Sequence, residues 1–184
     1  MLSSWLRRLS SESWQTESGI LTTGLGMLYS LEVRITEGPM TEAFLKENPV
    51  IARTIQIRSN QTLDQLHRAI FRAFERDDPH MYEFRSGDKF KVAPEQRYVM
   101  PEALEFDKDE RPTGITSKTT MASLGLKIGD VFHYWFDFGD DWWHWIEVKA
   151  IDRTMPEGRF PKIISRTGES PPQYLPEGEE AAAE

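Results

Sequence analysis

The amino-acid sequence predicts an α+β fold: an antiparallel sheet packed against one main helix, with a Trp-rich β-hairpin. Three observations predict it. Residues 29–35 and 51–57 alternate apolar and polar side chains at the period of a strand. Residues 62–75 repeat apolar side chains at helical spacing behind a capping signal. Residues 133–148 hold four of the six tryptophans in two aromatic runs parted by Gly139-Asp140-Asp141, the pattern of a hairpin.

Leu2, Trp5, Leu6 and Leu9 recur at helical spacing, with Arg7 and Arg8 on the other side. Residues 1–27 therefore read as an amphipathic arm and linker, ending in Thr22-Thr23-Gly24-Leu25-Gly26. In the first strand Leu31, Val33 and Ile35 face one way and Glu32 and Arg34 the other; Ile51, Ile55 and Ile57 mark the second. Gly38-Pro39 turns the chain and 40–47 form a short helix. In Thr62-Leu63-Asp64-Gln65 the Thr62 hydroxyl can accept a free backbone N–H while Gln65 reaches back. Leu63, Leu66, Ile70 and Phe74 make that helix's apolar stripe, which Pro79 stops from continuing. Residues 80–85 alternate as a strand and Lys89–Val92 pair back. Residues 93–118, rich in proline and charge, form a long surface excursion. Met121–Leu126 is a helical turn and Pro161-Lys162-Ile163-Ile164 a short strand or a packed segment. Beyond residue 176 the acidic Glu/Ala tail is expected to be disordered. The main domain is then 28–175, with the arm before it and the tail 176–184 after it.

Composition narrows the function. The 184-residue chain has 39% hydrophobic and 28% charged residues, the balance of a soluble domain. No apolar run reaches the roughly 18 residues needed to span a bilayer, so no membrane partner is expected. There is no cysteine, which excludes thiolate catalysis and cysteine metal sites and fits a cytoplasmic location. A net charge of −8, half of it in residues 166–184, lacks the footprint of a nonspecific nucleic-acid binder.

Three motifs occur in a fixed order: Thr62-Leu63-x-x-Leu66-His67-x-x-Ile70, Asp78-Pro79-His80-x-x-x-Phe84 and Tyr134-x-Phe136-Asp137-Phe138-Gly139-Asp140-Asp141-Trp142-x-His144-x-Ile146. Together they resemble the plasmid pRiA-type ORF-three-like family, some of whose members carry a resolvase-like label as insertion-element passengers. Gly168-Glu169-Ser170-Pro171-Pro172 is similar to that family's C-terminal segment. The resemblance covers about residues 28–175. It implies a compact α+β domain from a bacterial or archaeal mobile-element neighbourhood and no established activity. Nothing matches a serine- or tyrosine-recombinase site. Trp143 and Trp145 stand where the family usually has polar residues.

Side chains alternate faces along a strand. Phe132, Tyr134, Phe136 and Phe138 thus share the core face of the hairpin with Trp142, His144, Ile146 and Val148. His133, Trp135, Asp137, Trp143, Trp145 and Glu147 take the outer face. Three tryptophans on one outer face are rarely left in water, and tryptophan anchors interfaces. The cover is either the arm, through Trp5, Leu6 and Trp14, or a protein partner or second copy. The sequence therefore predicts a soluble interaction module that uses Trp135, Trp143, Trp145, Trp5 and Leu6, with no catalytic residue assigned.

His67, His80, Asp140, Asp141 and His144 form a second candidate set. Imidazoles and carboxylates can hold a divalent metal that activates water, and the alternative function is a metal-dependent hydrolase or nuclease-like enzyme. Their spacing matches no standard metal motif such as H-E-x-x-H. The competing expectation is structural: paired aspartates at a turn bond backbone N–H groups, and His67 faces the core. No other cofactor is expected.

Overall fold

The computed structural model describes residues 26–86, 97–106 and 111–182. The chain enters through β1 (Leu28–Glu37), whose Tyr29, Leu31, Val33 and Ile35 are buried while Arg34 and Thr36 are exposed. Strand β2 (Ala52–Arg58) pairs beside it antiparallel, after the short helix α1 (Glu42–Glu47). Helix α2 (Leu63–Ala73) starts as its sequence dictates. The Thr62 hydroxyl accepts from Gln65 N, and the Gln65 side chain accepts from Thr62 N at 2.9 Å. Leu63, Leu66, Ala69, Ile70 and Ala73 bury its inner stripe.

Strand β3 (Tyr82–Ser86) leads to β4 (Arg97–Val99), the small helix α3 (Ala103–Phe106), and β5 (Gly114–Ile115). A 3-10 turn at Met121–Leu124 precedes β6 (Val131–Phe136), which pairs antiparallel with β7 (Trp142–Asp152). Strand β8 (Lys162–Thr167) closes the series. The strands form one eight-stranded sheet in the order β5-β4-β3-β6-β7-β1-β2-β8.

This architecture corrects the fold class read from the sequence. The molecule is built on a large mixed sheet with few, small helices, not on an antiparallel sheet packed against one main helix. Strands β4 and β5 run parallel. Among the described residues the helices are six, eleven and four residues long. Two strands escaped the periodicity argument for a physical reason: β4 and β5 have three and two residues, too few to show alternation. Strand β8, expected at Pro161–Ile164 as a short strand or packed segment, forms over Lys162–Thr167 with its side chains mostly exposed. The expected return strand at Lys89–Val92 lies outside the described residues.

Two glycines are required by close approach. Gly38 has φ +149°, and a Cβ there would stand 2.2 Å from the Trp142 ring. Gly168 has φ +69°, and its Cβ would stand 2.4 Å from the Val50 carbonyl oxygen. The first lets Trp142 of the hairpin lie flat on the end of β1. The second brings the segment after β8 against the start of β2.

Candidate interaction face and the polar groups around the hairpin turn

The β6–β7 hairpin turns through Asp137, which is left-handed at φ 55°, as is Asp141 at φ 52°. Aspartate tolerates this region better than most residues. The Asp137 carbonyl accepts from Asp140 N and Asp141 N, and its Oδ1 accepts from Gly139 N. Asp137 is buried and belongs to the turn itself. The left-handed residue breaks the alternation. Phe138, expected in the core, crosses to the outer face and packs on Trp135 at 4.2 Å between ring centroids. The rest of the core set is buried: Phe132, Tyr134, Phe136, Trp142, His144, Ile146 and Val148.

On the outer face, Trp135 and Trp143 are direct cross-strand partners and stack at 4.9 Å with 9° between their planes. The Arg85 guanidinium lies 4.6 Å from the Trp135 centroid and 5.2 Å from that of Trp143. Trp135 Nε1 donates to Asp141 Oδ1 at 2.9 Å. One strand over, Arg34 stands opposite Trp145 and reaches 5.3 Å from its ring. The pairing register aligns Arg97, Arg85, His133, Trp145 and Arg34 in one row across five strands. This is a basic, aromatic stripe in an acidic chain, and guanidiniums over ring faces are attracted by the ring quadrupole.

Glu83 stands beside it, opposite Trp135, and pairs with both Arg85 and Arg97. Glu83, Val99 and Trp143 are only 0%, 5% and 8% exposed although they belong to this face. Glu37, Arg85, Arg97, His133 and Trp143 each have partners beyond those named. Trp135, Phe138 and Trp145 are half-buried. Beside Arg34, and reaching it, a cleft of about 240 Å³ opens between Thr36, Leu45, Val50 and Ile51. Thr36 Oγ1 donates to the Trp143 carbonyl at 3.3 Å, which ties the cleft's rim to the tryptophan strand. Trp5 and Leu6 lie outside the described residues.

The second candidate set does not converge. His67 sits on α2 against the core, where its Nδ1 is 2.7 Å from the Tyr134 hydroxyl and its ring stacks on Tyr82 at 3.7 Å. The Tyr82 hydroxyl donates to Asp64 Oδ1 and contacts Thr116 Oγ1, both at 3.1 Å. Burial pulls the His67 ring down to about 4 despite the nearby Asp64 carboxylate. His144 is buried from the other side of Tyr134, 5.1 Å between centroids. Burial, with the Arg76 cation next, pulls it down to about 3. Both rings are therefore neutral at physiological pH. His80 is on the surface, 2.8 Å from the Tyr174 hydroxyl and 3.4 Å from Asp137 Oδ2. Partial burial, and then the Asp137 carboxylate, raises Asp140. Asp141 points to the outer face and holds Trp135. Among the described residues no three His, Asp or Glu side chains are grouped to hold a metal ion.

Sequence reasoning missed the residues that lock the C-terminal segment to the domain. The Arg53 guanidinium is buried, donates to the carbonyls of Ala73, Ala52, Thr167 and Gly168 and to Ser170 Oγ, and lies over Phe74. Arg76 lies 3.7 Å over the Trp142 ring and donates to the Pro171 carbonyl; burial lowers it to about 10, so it stays cationic. Gln173 accepts from Asp77 N and Asp78 N and donates to the Asp78 carbonyl. The Tyr174 hydroxyl donates to Asp78 Oδ2 at 2.6 Å, and that carboxylate holds it up to about 12. Trp142 is thus clasped between Gly38 and Arg76, and the Gly168–Pro172 motif is a strap over the end of α2. The one sequence signal for this was the motif itself.

These features define a mixed-sheet domain whose hairpin is locked on its inner face and presents an aromatic, basic stripe on its outer one. The chain belongs to the family described as Plasmid pRiA4b ORF-3-like protein, which it matches over residues 43–175. It is 30% identical over 129 residues to an uncharacterised protein of Sinorhizobium fredii, covering 68% of this chain and 59% of that one. The chain thus spans under two thirds of that relative's length. A solved structure, a protein of unknown function from Methanosarcina mazei Go1, aligns at 20% identity with a TM-score of 0.54. That alignment covers 77% of this chain and 70% of the other, and it shows a shared fold. Among the described residues no helix is long and apolar enough to cross a membrane.

Proposed function

We propose that the domain is an interaction module that binds a protein surface through the outer face of β3, β6, β7 and β1. The observation that carries this reading is the cross-strand stripe in which Trp135 and Trp143 stack, Arg85 covers both, and Arg34 meets Trp145. Tryptophan and arginine are the residue types that supply most interface energy when desolvated together. The open cleft beside Arg34 offers room for an apolar side chain of the partner. The inner face, by contrast, is closed by the α2 packing, the Arg53 and Arg76 bonds and the neutral histidines.

Size-exclusion chromatography with light scattering tests this on wild type and Trp145→Ala, each alone and after incubation with extract of the native host. The expected result is a higher-mass complex for wild type that is lost in Trp145→Ala at unchanged melting temperature. Identical masses for the two chains would refute the reading.

A further inference from the structure

Arg76 is a buried cation with one whole edge of its guanidinium unused. Helix α2 ends in a Schellman closure: Arg76 N donates to the Phe71 carbonyl at 3.0 Å and Glu75 N to the Arg72 carbonyl at 3.3 Å. The residue that makes this turn, Glu75, sits at φ 58°, where glycine is the usual occupant and a glutamate is strained. The turn carries the Arg76 side chain onto β7, where its guanidinium carbon is 3.7 Å from the centre of the Trp142 ring. Arg76 is only 6% exposed. Its Nη1 donates to the Pro171 carbonyl at 3.1 Å. Its Nε and Nη2 are buried without an acceptor, and so is Trp142 Nε1.

Buried donors without acceptors are rare in native proteins, because each has given up water for nothing. A buried guanidinium without a carboxylate on it is more costly still. Asp137 and Asp140 are near enough to act on Arg76 through space, yet neither accepts from its Nε or Nη2. Asp137 directs its oxygens to Gly139 N and His80 instead.

The unused atoms define the ligand. Nε–H and one N–H of Nη2 run parallel along the side of a guanidinium and match the two oxygens of a carboxylate. The negative charges of Asp137 and Asp140 favour a monoanion there over a phosphate dianion. Depth sets the size. Pro171, which caps Nη1, also lines a cavity of about 90 Å³ with Pro39, Met40, Phe44 and Leu175. That is less than the roughly 150 Å³ that takes a benzene ring, so what reaches Arg76 past the strap has few carbons.

We propose that the Nε–Nη2 edge of Arg76, beside the Trp142 ring and under the Pro171 strap, binds the carboxylate of a small free organic acid. The site lies on the inner side of the hairpin, apart from the outer face assigned to a protein partner. Its occupant joins the end of α2, strand β7 and the strap, and stabilises the fold by mass action.

Acetate is the probe, with chloride at equal ionic strength as the reference, on isotope-labelled full-length chain dialysed into carboxylate-free buffer. The Arg76 Nε–H resonance, assigned through bonds, is followed by NMR, and the melting temperature by calorimetry. The expected result is a saturable downfield shift of that resonance with acetate, slower exchange of its proton with water, and a parallel rise in melting temperature. Arg76→Lys keeps the charge and loses the edge, so its acetate affinity is expected to fall roughly tenfold or more. N-acetyl-alanyl-alanine, which offers the carboxylate of a chain end, is expected to leave the resonance in place. Four results overturn the proposal: no shift at the highest acetate, the same shift with chloride, undiminished acetate binding by Arg76→Lys, or a shift with the peptide and none with acetate. The first two and the last are read on the wild-type chain, so they stand even where Arg76→Lys fails to fold.

Discussion

Acidification is expected to destabilise the fold through its two neutral histidines, and the structure sets the size of the effect. His144 is buried between Phe74 and Tyr134 with its ring lowered to about 3, and His67 is lowered to about 4. Both titrate near 6.5 when the chain unfolds. The charged form is disfavoured in the folded state, so the unfolded chain binds the extra protons. Stability is full above about pH 6.5 and falls as the pH drops below it. The loss levels off once the pH passes the folded values. At pH 5 the unfolded His144 gains about 2 kcal/mol from protonation that the folded ring forgoes. His67, whose ring edge reaches solvent, adds about 1 kcal/mol after allowance for screening. The expected fall between pH 8 and pH 5 is therefore about 3 kcal/mol, a large share of the 5–15 kcal/mol typical of a domain. Urea unfolding followed by far-ultraviolet circular dichroism at pH 8, 6.5 and 5 measures it. A His67→Gln, His144→Gln chain is weaker at pH 8 but nearly flat over the same range. A wild-type change below about 1 kcal/mol, or an undiminished fall in the double variant, refutes the reasoning.

Other substitutions probe other joints. Gly38→Ala forces a Cβ into the Trp142 ring at a positive φ and should cost about 3 kcal/mol or more in denaturant unfolding. Arg53→Met leaves the carbonyls of Ala73, Thr167 and Gly168 without the guanidinium. It should cost about 3 kcal/mol and speed proteolysis of the 167–174 segment. Trp142→Ala removes a fully buried ring and should cost about 3–5 kcal/mol. Trp145→Ala, on the half-buried outer side, should stay within about 1 kcal/mol of wild type; equal costs for these two tryptophans would show the outer face to be core.

How much of this was legible in the sequence depends on whether the signal was local. The α2 capping box and the inward alternation of Phe132, Tyr134 and Phe136 against Trp142, His144 and Ile146 depend on neighbours a few residues away. Phe138 was misplaced because alternation fails at a left-handed residue, and Asp137 gives no sign of φ 55° beyond being an aspartate before Phe138-Gly139. The extent of the sheet was hidden because β4 and β5, three and two residues long, are held by pairing and are too short to show an apolar face of their own. Arg53 and Arg76 are buried cations. What buries them is a set of main-chain carbonyls as far as 115 residues away, which no local pattern announces. The five residues read as a polar cluster were close in motif but not in space. Helix phase sends His67 to Tyr134, the turn sends Asp141 outward, and His144 lies beneath the sheet's core face.

The central claim is that the Trp145 side of the hairpin meets another protein. A photoreactive benzoylphenylalanine in place of Trp145, irradiated in extract of the native host, tests it most directly. The expected result is a discrete intermolecular adduct that excess wild-type chain competes away and excess Trp145→Ala chain does not. No adduct, or adducts equally insensitive to both competitors, would contradict it.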